Sequence, residues 1–185
     1  MEFKKIQLNG FKSFAEKTNF LIEDGLTGIV GPNGCGKSNI VESLRWVMGE
    51  TSAKSMRGSG MEDVIFSGTS NKASKNIAEV SIDVENKDKE GPIQYREIEQ
   101  IQVRRKIEKD KGSKFYINDK EVRARDAQMF FADLSTGAHS PSMISQGRIG
   151  SLVTAKPTDR RAILEEAAGI SGLHVRRHEA ELRLG

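Results

Sequence analysis

Apolar and polar positions alternate in short runs over the first thirty residues. Phe3, Ile6 and Leu8 open the chain, Phe20 and Ile22 follow, and Leu26, Ile29 and Val30 fall in a compact apolar stretch at 26–30; each run predicts a strand. A glycine-rich turn breaks the pattern. From Ser38 onwards Ile40, Val41, Leu44, Val47 and Met48 recur at the spacing of one helix face, and Gly49 stands where a left-handed C-terminal cap belongs. The order is strand, glycine loop, helix. Further on, Ala78, Val80, Ile82 and Val84 alternate with Glu79, Ser81, Asp83 and Glu85, the period of two that marks a half-exposed strand in an antiparallel sheet. Strands are predicted again over 98–103 and 115–117, and Asn118-Asp119 forms a tight turn into a third at 121–123. Residues 124–134 have helical spacing. After a loop rich in glycine, serine and histidine, Thr158 follows Pro157 as the cap of a helix to residue 168, and another helix opens over 175–184.

Composition narrows the class without naming a function. The chain has 185 residues, 36% hydrophobic and 30% charged, enough for one domain with its own core and a generous polar surface. No apolar run nears the roughly 20 residues of a membrane span. The first eight residues are mixed rather than basic and then apolar, so a cytoplasmic location with no membrane partner is expected. Cys35 is the single cysteine, which excludes an internal disulfide framework, and three histidines leave few ligands for a zinc site. The net charge of +3 is too small to identify a partner, but nine bases face four acids between Arg104 and Arg125.

The chemistry is concentrated in the turn after the apolar stretch. Gly31-Pro32-Asn33-Gly34-Cys35-Gly36-Lys37-Ser38 satisfies G-x-x-x-x-G-K-S/T, and it lies between a predicted strand and a predicted helix, the context the motif requires. Glycines let the backbone close round a phosphate, with successive N–H groups and the helix N-terminus facing the anion. Lys37 is the expected point charge on the β and γ phosphates, and the Ser38 hydroxyl is the expected Mg²⁺ ligand. A chance glycine turn rarely carries the right flanks on both sides.

Neighbouring segments narrow the class. Gly10-Phe11-Lys12-Ser13-Phe14, the loop from Gly31 to Asn39, Arg45-Trp46-Val47-Met48-Gly49-Glu50, Arg57-Gly58, Met61-Glu62-Asp63-Val64-Ile65-Phe66-Ser67-Gly68, Gln146-Gly147 and residues 160–170 resemble, in order, the N-terminal head segment of structural-maintenance-of-chromosomes (SMC) proteins. The resemblance implies an α/β fold: the N-terminal half of an ABC-type P-loop ATPase head, with a mixed core sheet, an antiparallel β layer and the start of a coiled-coil helix. It implies a head lobe over 1–170 and the root of a coiled-coil arm over 171–185. It also implies that ATP and Mg²⁺ are the cofactors, and that Lys37 and Gln146 serve the reaction. The catalytic glutamate and the signature motif belong to a C-terminal head half outside this chain. Gln146 matches the glutamine-loop position that helps hold Mg²⁺ and the attacking water. Lys12, Ser13, Asn39 and Arg57 match positions beside the nucleotide. The implied partners are the C-terminal head half of the same polypeptide, a second SMC subunit in a homodimer, a kleisin with its associated subunits, and double-stranded DNA without sequence preference. The implied location is cytoplasmic, at the nucleoid.

Two segments imitate missing parts. Met129-Phe130-Phe131-Ala132-Asp133 has the spelling of a Walker B strand, but Leu134 follows where a glutamate belongs and helical spacing explains it better; Leu134-Ser135-Thr136-Gly137 faintly echoes the ABC signature yet precedes the glutamine loop. For DNA, the basic stretch supports phosphate contact and a solvated strand edge about equally by charge alone. The family tilts the balance to DNA, through Lys54, Arg57, Lys120 and Arg123. Alternatives are the head of a double-strand-break repair coiled-coil ATPase, a nucleotide-dependent interaction module that never hydrolyses ATP, and a small-molecule P-loop kinase. The last expects a lid and catalytic arginines rather than an antiparallel layer.

Overall fold

The computed structural model describes residues 1–87, 89, 92–134, 143, 150, 153–158, 160, 161 and 164. Among the described residues six strands form one sheet in the order β2-β1-β3-β4-β5-β6. They are β1 (Glu2–Asn9), β2 (Thr18–Leu21), β3 (Ile77–Glu85), β4 (Gln100–Glu108), β5 (Gly112–Ile117) and β6 (Lys120–Val122), and each neighbouring pair is antiparallel. Among the described residues the helices with defined bounds are α1 (Lys37–Val47) and α2 (Ala124–Asp133), and short 3₁₀ turns occupy Lys54–Met56, Met61–Val64 and Ile93–Tyr95.

Strand periodicity sorts the sheet into two chemically different faces. Ile6, Leu8, Ala78, Val80, Ile82, Val84, Ile101, Val103, Ile107, Phe115 and Ile117 are buried on one face, as period-two alternation requires. The opposite face carries a polar lattice: Lys5 pairs with Asp83, Gln102 Nε2 donates to Asp83 Oδ1 at 2.7 Å, and Arg104 reaches Asp119 at 2.8 Å and Glu79 at 3.4 Å. The predicted Asn118-Asp119 turn is present, with φ of 47° and 62°, the paired left-handed residues of a two-residue hairpin.

Helix α1 lies over β3 and β4 and buries Ile40, Glu42, Ser43, Trp46 and Val47. Trp46 is fully buried, its ring 5.4 Å from that of Phe11. The helix ends in a Schellman arrangement: Gly49 (φ 104°) donates to Trp46 O and Glu50 donates to Arg45 O, both at 3.1 Å. A side chain at Gly49 would strike Gln128 of α2, whose Nε2 donates to the Gly49 carbonyl at 2.8 Å. Helix α2 packs on β5 through Ala127, Phe130 and Phe131, so the Walker B look-alike at Met129-Asp133 is helical.

Two expectations change. Residues 26–30 are not a strand: Leu26 and Val30 are almost wholly exposed, and no described segment pairs with them. The core sheet expected to be mixed is therefore entirely antiparallel among the described residues. An apolar run becomes a strand only where another backbone accepts its ladder bonds, and the antiparallel layer does not extend to this one. In the helix expected from Thr158, residues 157, 158, 160, 161 and 164 are helical, and Arg160 N already donates to Lys156 O at 3.1 Å, so the helix begins before Thr158. The arm expected over 171–185 lies outside the described residues.

Candidate functional site

The loop from Gly31 to Gly36 joins α1 through glycines in conformations that other residues avoid. Gly34 has φ of 84°, and Gly36, the cap residue of α1, has φ of 99° and ψ of 9°. Among the described residues no side chain caps the helix, so the first-turn N–H groups other than that of Asn39, which meets the Gly36 carbonyl, are left for an external acceptor. A Cβ at Gly36 would lie 2.4 Å from Ser13 Oγ and 3.5 Å from the Phe14 ring. The loop is thus wedged against the segment after β1. Lys37 Nζ donates to the carbonyls of Gly31 and Pro32, each at 2.6 Å, and approaches Cys35 Sγ at 3.9 Å. Three backbone and side-chain groups therefore hold its ammonium over the loop. Cys35 is exposed.

One polar cluster brings together most of the remaining expected site residues. Asn39 and Glu42 are three apart on α1 and share a face. Asn39 Nδ2 donates to Ser13 Oγ at 2.9 Å, and its Oδ1 accepts from Arg57 Nη2 at 3.0 Å. Glu42, 8% exposed, accepts from Lys12 Nζ on one carboxylate oxygen and pairs with Arg57 Nε through the other. Lys12 Nζ also donates to the Met56 carbonyl. Both cationic residues have left-handed backbones, φ 47° at Lys12 and φ 54° at Arg57. Lys12, Ser13, Asn39 and Arg57 thus converge beside the phosphate loop. Gln146 lies outside the described residues.

Glu42 has no motif and was not foreseen. Its partners are 30 and 15 positions away in sequence, so no local spacing signals them. Arg105 belongs to the basic stretch in sequence but not to the surface. It is 3% exposed on the apolar face of the sheet; Nη1 donates to Trp46 O and Glu50 O, both at 2.7 Å, and Nε donates to Ser113 Oγ at 2.7 Å. Its guanidinium lies 4.5 Å from the Trp46 ring centre and 4.6 Å from that of Phe115. Burial draws its pKa down to about 10 and the Glu50 charge opposes the shift, so it stays charged at neutral pH.

The family model described as RecF/RecN/SMC N-terminal domain matches residues 2–148. The chain belongs to this SMC family. It is 57% identical over 184 residues to the chromosome partition protein Smc of Cereibacter sphaeroides, covering 100% of this chain and 16% of that protein. The chain therefore spans about one sixth of that relative's length. Among solved structures it is similar to the Smc head domain of Pyrococcus furiosus bound to the C-terminal domain of ScpA, with a TM-score of 0.84 and 30% identity over 98% of this chain and 45% of that one. It is also similar to an SMC ATPase chain from a study of ATP-driven dimerization and DNA-stimulated activation, with a TM-score of 0.76 and 31% identity over 90% of this chain and 99% of that one. The SMC head fold is thus established for this chain, and the repair-ATPase, kinase and interaction-module readings are not favoured.

Within the SMC head the four expected DNA residues separate into two places. Lys54 and Arg57 are exposed on the segment that packs beside the first half of α1, whereas Lys120 and Arg123 are exposed at the β5–β6 hairpin and the start of α2. Much of the basic stretch is already neutralised. Arg104 pairs with Glu79 and Asp119, Lys111 with Glu108 and Lys114 with Glu121, and Arg105 is internal.

Proposed function

We propose that this chain is the ATP-binding half of an SMC head, which with a C-terminal half of the same polypeptide binds and hydrolyses ATP to drive head engagement and DNA organisation in chromosome segregation. The observation that carries the reading is the wedged phosphate loop with Lys37 held over it and Ser13, Asn39 and Arg57 gathered at its side. The residues fit a Mg²⁺–nucleotide. Gly31, Pro32, Asn33, Gly34, Cys35 and Gly36 wrap the phosphates, Lys37 supplies charge, Ser38 ligates Mg²⁺ and Gln146 assists the metal and the attacking water. Bound Mg²⁺ neutralises charge on the β and γ phosphates. Lys12, Ser13, Asn39 and Arg57 border the nucleotide. The exposed apolar stretch at 26–30 supports pairing with the C-terminal half, because Leu26, Ile29 and Val30 are exposed and an added strand would bury them. The lobe covers 1–170 and the arm begins at 171. A second SMC subunit and a kleisin complete the assembly, the latter supported by the ScpA domain bound to the Pyrococcus head. Among the described residues no helix is long and apolar enough to cross a membrane.

The test is protection of Cys35. ATP with Mg²⁺ is expected to shield this exposed thiol from alkylation, and Lys37→Ala to abolish the shielding with roughly a ten- to hundred-fold loss of ATP affinity, the scale of one or two charge-assisted hydrogen bonds. Turnover is then expected only when the C-terminal head half is added. Equal labelling with and without ATP would sink the reading, and turnover by the chain alone would reveal a catalytic base inside it.

DNA contact through Lys54, Arg57, Lys120 and Arg123 is the second part of the proposal. In the full-length protein, K120E with R123E is expected to lower the slope of log affinity against log salt by about 2 in magnitude and to leave ATP binding unchanged. An unaltered slope would remove the hairpin from the DNA surface.

A further inference from the structure

Glu42 faces two cations with one negative charge. Lys12 is the fixed partner: its side chain is 13% exposed, that of Glu42 10%, and the Lys12 ammonium is also held by the Met56 carbonyl. Arg57 is the loose one, with a side chain 58% exposed. If Arg57 leaves, Glu42 keeps Lys12 and no buried charge is stranded, so departure avoids the large cost of an unpaired internal ion. What is lost is an ion pair open to solvent at its Arg57 end, a weaker interaction than a fully buried pair. If Lys12 left instead, a nearly buried contact would be broken.

Arg57 is linked to the phosphate loop through a single intervening residue, Asn39. Its Nη2 holds Asn39 Oδ1, and the Asn39 N–H donates to the carbonyl of Gly36, the residue that closes the phosphate loop, at 2.9 Å. A guanidinium has five donors in a planar fork that matches phosphate oxygens in pairs. Arg57 also sits at the end of the 3₁₀ turn Lys54–Met56 with φ 54° and ψ 37°. A non-glycine residue keeps that conformation only where its surroundings impose it, a feature that gathers at ligand clamps and switches.

We propose that Glu42 is a docking carboxylate that holds Arg57 back from the phosphate loop, and that the phosphates of a bound nucleotide compete with it for the guanidinium. The inference rests on the nucleotide-binding reading and adds a competitor inside the protein. Glu42 is a positioning residue here, acting on nucleotide affinity only through Arg57.

Affinities for ATP and for adenosine would be measured on the unmutated chain, Glu42→Gln, Arg57→Ala and the double variant. Glu42→Gln is expected to tighten ATP about two- to five-fold, the scale of an ion pair with one solvent-exposed partner, with no change for adenosine and no gain in the Arg57→Ala background. A loss of ATP affinity, or a gain that persists without Arg57, overturns the proposal. Because Glu42→Gln also weakens the hold on Lys12, a second readout uses the unmutated chain: the ¹⁵N-detected Nε–H signal of Arg57, assigned with Arg57→Lys. It is expected to shift on adding Mg²⁺–ATP and not on adding adenosine. ATP binding that depends on Lys37 while this signal stays fixed overturns the role of Glu42 and leaves the nucleotide reading intact. No Lys37-dependent binding overturns both.

Discussion

Replacing Arg105 by alanine is expected to lower the melting temperature by about 10 °C, while Arg104→Ala, one residue away, leaves it almost unchanged. The difference is which face of β4 each side chain occupies. Arg105 places its guanidinium between the Trp46 and Phe115 rings and donates to the carbonyls of Trp46 and Glu50, where α1 ends. The Trp46 carbonyl also accepts from Gly49 N–H in the helix cap, so Arg105 is its second donor, and the Glu50 carbonyl lies just past the last turn of α1, where helical donors end. Losing the donor costs about 1–3 kcal/mol for each buried acceptor left short, and the cavity and lost ring contacts add to it. A total on the order of 4 kcal/mol corresponds to about 8–16 °C in a domain of this size. Arg104 instead meets Glu79 and Asp119 on the polar face, and Asp119 is 82% exposed, so its loss costs less than about 1 kcal/mol. Thermal unfolding of the two variants side by side decides the matter. Equal, small shifts would mean that Arg105 does not pin α1 to the sheet.

Gly36→Val is expected to remove ATP binding altogether and leave the sheet folded. Two independent obstacles meet at this position. The φ of 99° costs an L-residue about 1–2 kcal/mol. The added Cβ would also lie 2.4 Å from Ser13 Oγ. Asn39 Nδ2 holds the hydroxyl in place, and the Phe14 ring lies 3.5 Å from the same added Cβ, so the extra valine methyls meet it too. The loop must therefore open, and the N–H groups that face a phosphate lose their common centre. Gly34→Ala separates the two effects: φ is 84° and nothing lies within 4 Å of its added Cβ, so backbone strain acts alone and affinity falls roughly ten-fold. Far-UV circular dichroism should match the unmutated chain for both, with ATP titration as the readout. Gly36→Val binding ATP as well as Gly34→Ala would show that the close approach to Ser13 is not needed.

The features legible in the sequence are those whose cause lies within a few residues. Alternation of Ala78, Val80, Ile82 and Val84 with charged neighbours specifies β3 because a strand's side chains point alternately to its two faces. The phosphate loop is local on the side where glycine spacing leads into α1, though the strand expected before it is not formed, and Gly49 is readable as a cap because αL geometry at a helix end is a one-residue requirement. Asn118-Asp119 needed only its own two dihedral pairs.

Tertiary structure decided everything that depends on a distant partner. Arg104 and Arg105 are indistinguishable by composition, and only the register of β4 against β3 and β5 sends one into the polar lattice and the other beneath Trp46. Glu42 reads as an ordinary helix-surface acid until the fold delivers Lys12 and Arg57 to it from separate segments. The stretch at 26–30 has the residues of a strand and, among the described residues, lacks the neighbour that would make it one. Local propensity sets what a backbone segment is able to become, but pairing, burial and charge compensation are relations between segments, and only the folded chain supplies them.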